Sequence, residues 1–129
     1  MRQLTSSQED YLEAIHAIAA EGRDVCVRDI AARLSVAMPS VTGAMRRLSA
    51  LGLVRHGRYD YVELTAEGKR RAAGVAGRHA LLKRFLKEAL CVDEKTAEAD
   101  ACAIEHHVSE ATVKAMIRNL DAGGKGRDS

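Results

Sequence analysis

Aromatic side chains are almost missing from this chain: they make up 3% of 129 residues, with one phenylalanine, three tyrosines and no tryptophan. Only Tyr59 and Tyr61 are suited to stacking on unpaired bases, so a nucleic-acid partner is expected to be duplex rather than single-stranded. Long apolar runs are also lacking. None approaches the roughly 18 residues of a membrane span, and the opening Met1-Arg2-Gln3-Leu4-Thr5 is too polar for a signal peptide. A cytoplasmic, membrane-independent protein is expected. Cysteine is sparse and odd in number, three in all (Cys26, Cys91, Cys102), which argues against a disulfide framework and for reduced thiols. There is no internal repeat, and no H-E-x-x-H arrangement or obvious acid–base partner of the kind a metalloenzyme needs. What is present is 47% hydrophobic content, enough for a packed core in one or two small domains.

Charge is unevenly spread although the formal total is only +2. Residues 28–71 hold nine Lys/Arg against four Asp/Glu, whereas residues 93–121 hold seven acids against three bases. The basic stretch suits a polyanion and the acidic stretch a cation; two ordinarily solvated surfaces are the plain alternative.

Periodicity predicts a mainly α protein. Leu12, Ile15 and Ala19, with Tyr11 and Ile18, give a first helix over residues 7–21, with Thr5, Ser6 or Ser7 as N-cap and Gly22 as stop. Val27, Ile30, Ala31 and Leu34 give a short second helix, and residues 35–38 a turn. Pro39 suits the first turn of a third helix ending near Ala50, where its missing N–H is harmless. After Gly52 the period changes to two: residues 53–56 and 61–64 read as strands joined by Gly57-Arg58-Tyr59-Asp60. Thr65 then caps a long helix, with Gly68 a mild penalty, that continues through His79 to Glu88 or Leu90. Two more helices are expected over residues 93–107 and 109–120. The boundaries expected are 1–72 and 73–121, followed by a flexible tail over 122–129.

The order helix, helix, turn, helix, hairpin is that of a winged helix-turn-helix, in which the second helix of the motif enters the major groove of double-stranded DNA. The residues at its leading end are Pro39, Ser40, Thr42 and Gly43. Ser40 and Thr42 offer hydroxyls, and Thr42 also a methyl for thymine. Arg46 and Arg47, one turn on, suit phosphates; Arg58 at the wing tip suits a phosphate or a minor groove, and Arg28 starts the supporting helix. Any one of these arginines alone would pass as a solvated charge. Their convergence on one element makes the case.

A second constellation lies further along. Cys102, Glu105 and His106 stand at i, i+3 and i+4, which puts a thiol, a carboxylate and an imidazole on one helical face. Asp10 and Glu13 repeat the i, i+3 spacing near the N-terminus, and His79 lies between the two. Taken singly, Cys102 reads as a small buried hydrophobe, Asp10 as a helix-dipole partner and the glutamates as solvated charges. His107 points about 100° away from His106 and is set aside as supporting or surface. Cys26, Cys91 and Met38 or Met45 read as packing residues.

Ser7-Gln8-Glu9-Asp10-Tyr11-Leu12-Glu13-Ala14-Ile15, Pro39-Ser40-Val41-Thr42, Leu64-Thr65-Ala66-Glu67-Gly68, Arg78-His79-Ala80-Leu81-Leu82 and Cys102-Ala103-Ile104-Glu105-His106-His107 occur in this order. With these five motifs in register to about Leu120, the chain resembles the DtxR/MntR family of metal-dependent repressors. The resemblance implies a homodimer of winged helix-turn-helix domains joined by an all-helical dimerisation domain, repressing metal-homeostasis genes from a pseudo-palindromic operator when metal is bound. It places the family's metal ligands on Asp10, Glu13, His79, Cys102, Glu105 and His106. Asp10 is like the manganese-sensing branch and Cys102 like the iron-sensing branch. Lys83 and Glu98 stand where the iron branch has a glutamate and a histidine in a second site, and no residues correspond to that branch's SH3-like domain. The C-terminus is short beside the manganese branch, and Gly43 replaces a longer polar residue at a DNA-contact position.

Donor chemistry bears on the ion. Carboxylates suit Mn²⁺, Fe²⁺ and Mg²⁺, while imidazole and thiolate shift preference toward Fe²⁺, Co²⁺, Ni²⁺ and Zn²⁺. Fe(II) is therefore expected first and Mn(II) second, with Zn(II), Co(II) or Ni(II) able to substitute and no organic ligand needed. The alternatives are a winged-helix regulator that senses oxidants through Cys102, and a small metalloenzyme.

Overall fold

A reciprocal capping box starts the first helix. Thr5 Oγ1 accepts from the Gln8 amide at 3.1 Å while the Thr5 amide donates to Gln8 Oε1 at 3.0 Å, which selects Thr5 among the three candidate caps. Helix α1 then runs Ser6–Ala20, burying Tyr11, Leu12, Ala14, Ile15 and Ile18 on one face. The computed structural model describes residues 3–126 and divides into two compact units, Met1–Gly74 and Val75–Ser129.

In the first unit α1 is followed by β1 (Val25–Cys26), α2 (Val27–Leu34), α3 (Met38–Ala50), β2 (Val54–His56) and β3 (Tyr61–Leu64). The strands form one antiparallel sheet in the order β1-β3-β2, with Val25 opposite Val62 and Val54 opposite Leu64. The hairpin was expected; β1 was not, because two residues are too short to show an alternating pattern. Ser35 closes α2 in the left-handed conformation, and Pro39 lies in the first turn of α3 as expected. Wing residues 58–60 form a single 3-10 turn in which Tyr59 and Asp60 both take positive φ.

A single apolar cluster from Leu4 to Ala72 fills this unit, including fully buried Leu12, Val27, Ile30, Val41, Met45 and Leu48. Each such side chain contributes on the order of 1.5–3 kcal/mol by leaving water. The start of α4 (Ala66–Glu88) is fastened to the sheet by Thr65, whose hydroxyl donates to the Gly52 carbonyl at 2.6 Å and accepts from the Gly68 amide at 3.0 Å. Gly68 is more than a mild helix penalty: a Cβ there would lie 1.9 Å from the Leu53 carbonyl oxygen, so only glycine permits this approach.

The second unit contains the rest of α4, α5 (Glu94–Ile104) and α6 (Glu110–Gly126). Asp93 caps α5 by accepting from the Thr96 amide at 3.1 Å. Its buried apolar side chains are few: Val75, Leu82, Ala97, Ala101 and Leu120. Helix α6 continues past Leu120 to Gly126, into the stretch expected as a tail; residues 127–129 lie outside the described residues. Cys91, expected to pack, is instead exposed in the left-handed conformation just after α4, and Met38 is exposed whereas Met45 is buried.

Candidate metal centre and nucleic-acid interface

Helix α3 separates its two faces cleanly. Val41, Ala44, Met45 and Leu48 point into the core, while Pro39, Ser40, Arg46 and Arg47 are exposed and Thr42 and Gly43 half-buried. The Arg47 guanidinium lies beside Gly43, with Nη1 3.7 Å from where a Cβ at that position would be. Arg28 at the start of α2 and Arg58 in the wing are exposed, as is Tyr59. The apolar face packs into the core, which leaves a basic, hydroxyl-bearing surface exposed.

The donor residues fall in both units. Asp10 and Glu13, one turn apart on α1 in the first unit, are half-buried. In the second unit the chain brings His79, Glu105 and His106 together. Glu105 ends α5 and is fully buried at 0% exposure, the one charged residue among the buried side chains described. His79 Nδ1 lies 2.8 Å from Glu105 Oε2, and His106 Nε2 lies 3.5 Å from Glu105 Oε1. The His106 side chain is only 6% exposed. Arg78 fixes the backbone at this point by donating to the Glu105 carbonyl at 2.6 Å, placing a cation on the open carbonyl end of α5. Cys102, three residues before Glu105, is exposed, so the face expected from sequence spacing is divided between a buried carboxylate and an exposed thiol. His107 is exposed and meets His106 edge-on.

Lys83 and Glu98 carry more of this arrangement than their sequence reading suggested. His79, Lys83 and Lys87 recur every fourth position on α4, and Glu94 and Glu98 do so on α5. They meet as a ladder: Lys87 pairs with Glu94, Lys83 with Glu94 at 2.8 Å and Glu98 at 3.8 Å, and His79 Nε2 with Glu98 Oε2 at 2.5 Å. The complementary four-residue spacings were the available signal. Burial pushes the His79 imidazole down, but the Glu98 hydrogen bond and the Glu105 and Glu98 charges outweigh it and hold the ring above its ordinary range.

A buried carboxylate between two imidazoles is an oxygen and nitrogen donor set that fits a divalent transition metal. The comparisons with known proteins agree in kind. Residues 3–62 match the family description "Iron dependent repressor, N-terminal DNA binding domain", and residues 65–122 match "Iron dependent repressor, metal binding and dimerisation domain". The chain belongs to the DtxR/MntR family of metal-dependent repressors. Among its relatives is an uncharacterised helix-turn-helix regulator of Methanocaldococcus jannaschii, 33% identical over 114 residues, covering 88% of this chain and 91% of the relative. The transcriptional regulator MntR of Escherichia coli is 38% identical over 108 residues, covering 84% of this chain and 69% of that protein. The solved manganese regulator SloR superposes with a TM-score of 0.77 at 26% identity, over 92% of this chain and 55% of its own. This repressor-family chain thus spans about half the length of that solved regulator. Its relatives are transcriptional regulators, not enzymes, and no described helix is long and apolar enough to cross a membrane.

Proposed function

We propose that this repressor binds a pseudo-palindromic duplex operator as a homodimer when loaded with Fe(II) or, second, Mn(II), and so controls metal-homeostasis genes from the cytoplasm. The observation that carries the reading is Glu105, a fully buried carboxylate with an imidazole nitrogen facing each oxygen. Asp10, Glu13, His79, Cys102, Glu105 and His106 form the proposed ligand set. A divalent ion there supplies positive charge to carboxylates that otherwise repel one another. Asp10 and Glu13 sit on the helix whose other face enters the core beneath α3, so the state of that helix bears on how the DNA-binding unit is held. Two recognition helices must be presented about 34 Å apart to enter successive major grooves. A dimer held near that spacing gains a coupling typically of about 1–3 kcal/mol. Pro39, Ser40, Thr42 and Gly43 face the bases, while Arg46, Arg47, Arg28 and Arg58 hold the backbone.

The test is affinity for a duplex selected from random DNA, measured anaerobically with and without Fe(II) or Mn(II). Metal should tighten binding at least about fivefold; equal affinity contradicts the proposal. Fe(II) is placed ahead of Mn(II) because a thiolate disfavours manganese, and Cys102→Glu should move the response toward Mn(II). The exposure of Cys102 supports a second reading, in which its oxidation releases DNA. Peroxide-dependent loss of binding in protein free of metal, abolished in Cys102→Ser, would favour it.

A further inference from the structure

A histidine that binds a metal through one ring nitrogen has to keep its proton on the other, and something must hold it there. His79 has a carboxylate on each side: Glu105 at Nδ1, 2.8 Å away, and Glu98 at Nε2, 2.5 Å away. The two are not equivalent. Glu105 is fully buried and is shared with His106, so Nδ1 points to where the other donors gather. Glu98 is about half exposed, with Lys83 at its other oxygen and Glu94 beyond, itself held by Lys83 and Lys87.

We propose that Glu98 is a positioning residue for the metal centre: it holds the His79 proton on Nε2 and thereby presents the Nδ1 lone pair to the ion, while Lys83 holds Glu98 in place. The inference rests on the metal reading above and deepens it. Metal-bound histidines commonly donate their second ring N–H to a carboxylate, which fixes the tautomer and the ring plane and raises the basicity of the ligating nitrogen. Lys83 also neutralises Glu98. With an ammonium tethered between Glu94 and Glu98, that carboxylate pair already has its cation, so Glu98 acts on the ring rather than as a ligand. The spacing of the ladder supports the division of labour. Lys87 meets Glu94, Lys83 meets Glu94 and Glu98, and among the described residues only His79, at the end of the ladder, reaches both Glu98 and Glu105.

Two measurements on the full chain test this. In protein stripped of metal by a chelator and carrying Glu105→Ala, which removes the carboxylate competing at Nδ1, long-range ¹H–¹⁵N spectra recorded above the imidazole transition should show His79 mainly with the proton on Nε2. That preference should disappear when Glu98→Ala is added and return with Glu98→Gln, whose amide oxygen still accepts the bond. With Glu105 in place, Mn(II) titration should then give about 10–100-fold weaker binding for Glu98→Ala, with most of the loss recovered in Glu98→Gln. Unchanged tautomer populations and wild-type Mn(II) affinity with Glu98→Ala would overturn the proposal. So would a Glu98→Gln variant that keeps the tautomer yet binds Mn(II) as weakly as Glu98→Ala, for then Glu98 is itself a ligand. If the wild-type chain takes up no Mn(II) or Fe(II), the metal reading fails, and the tautomer comparison alone decides whether Glu98 holds the ring.

Discussion

The first unit is held together by apolar side chains; the second has few of them and a network of ions instead. From Leu4 to Ala72 one continuous cluster of leucine, isoleucine, valine and methionine supports α3 and the sheet. From Val75 onward the buried apolar residues are few and mostly small, the largest fully buried ones being Leu82 and Val75, and a glutamate is buried among the described residues. Leu90, Ile104 and Ile117 in this unit remain exposed. A stretch of this size rarely buries enough surface to be stable alone and commonly needs a metal or another copy. The contrast fits the proposed division of work: a DNA-binding unit whose core is filled by its own apolar side chains, and a second unit that a bound ion or another copy would complete.

The largest break in that contrast comes from the first unit's core. Leu48→Ala should destabilise it by about 2–5 kcal/mol, because a fully buried side chain is lost and its cavity remains. Urea unfolding followed by amide exchange should show the loss in residues 3–74, with residues of the second unit much less affected. Metal should act at its proposed ligands instead. Saturation at about 100 times Kd should stabilise the native state by about 2.7 kcal/mol, with new exchange protection around Asp10 and Glu13 on α1 as well as around His79 and residues 98–107. Gly68→Ala comes next, at about 1–3 kcal/mol, since the added methyl meets the Leu53 backbone and cannot be relieved by a side-chain rotation. A lowered urea midpoint with an unchanged slope is the expected result.

The smallest effect sharpens the ionic side. The Lys83 hydrogen bond, followed by that of Lys87 and their charges, draws the Glu94 carboxyl down from 4.5 to about 2. A carboxyl depressed in the folded state favours folding above its unfolded pKa, and that contribution disappears as pH falls through about 2. Carboxyl ¹³C shifts should therefore show Glu94 ionised at pH 3, and Lys83→Met should return it toward the ordinary range. Glu94 and its partners are exposed, so the consequence for overall stability is small.

Much of the fold was legible because its signals are local. The α1 cap, Pro39 at the start of α3, the change to a two-residue period after Gly52 and Thr65 at the start of α4 each follow from the chemistry of a few neighbours. Strand β1 escaped because two residues carry no period, and its place is set by pairing with β3 far along the chain. The role of Gly68 depends on a carbonyl fifteen residues earlier, so its sequence context shows only the helix penalty. Of the candidate site, Glu105, His106 and His79 were legible as candidates, and the fold brings them together, but spacing cannot tell which of them is buried. It put Cys102 and Glu105 on one face, whereas the fold exposes the first and buries the second. Lys83 and Glu98 were read only as departures from a second metal site; they form a ladder because two antiparallel stripes of opposite charge meet.

Glu105 is the group proposed to link metal to DNA. The direct measurement is operator affinity of wild-type and Glu105→Ala protein, each with and without saturating Mn(II) or Fe(II) in an oxygen-free buffer. Metal should tighten wild-type binding and leave Glu105→Ala at the weak, salt-sensitive level of the metal-free protein. A Glu105→Ala protein that gains as much DNA affinity from metal as the wild type would contradict it.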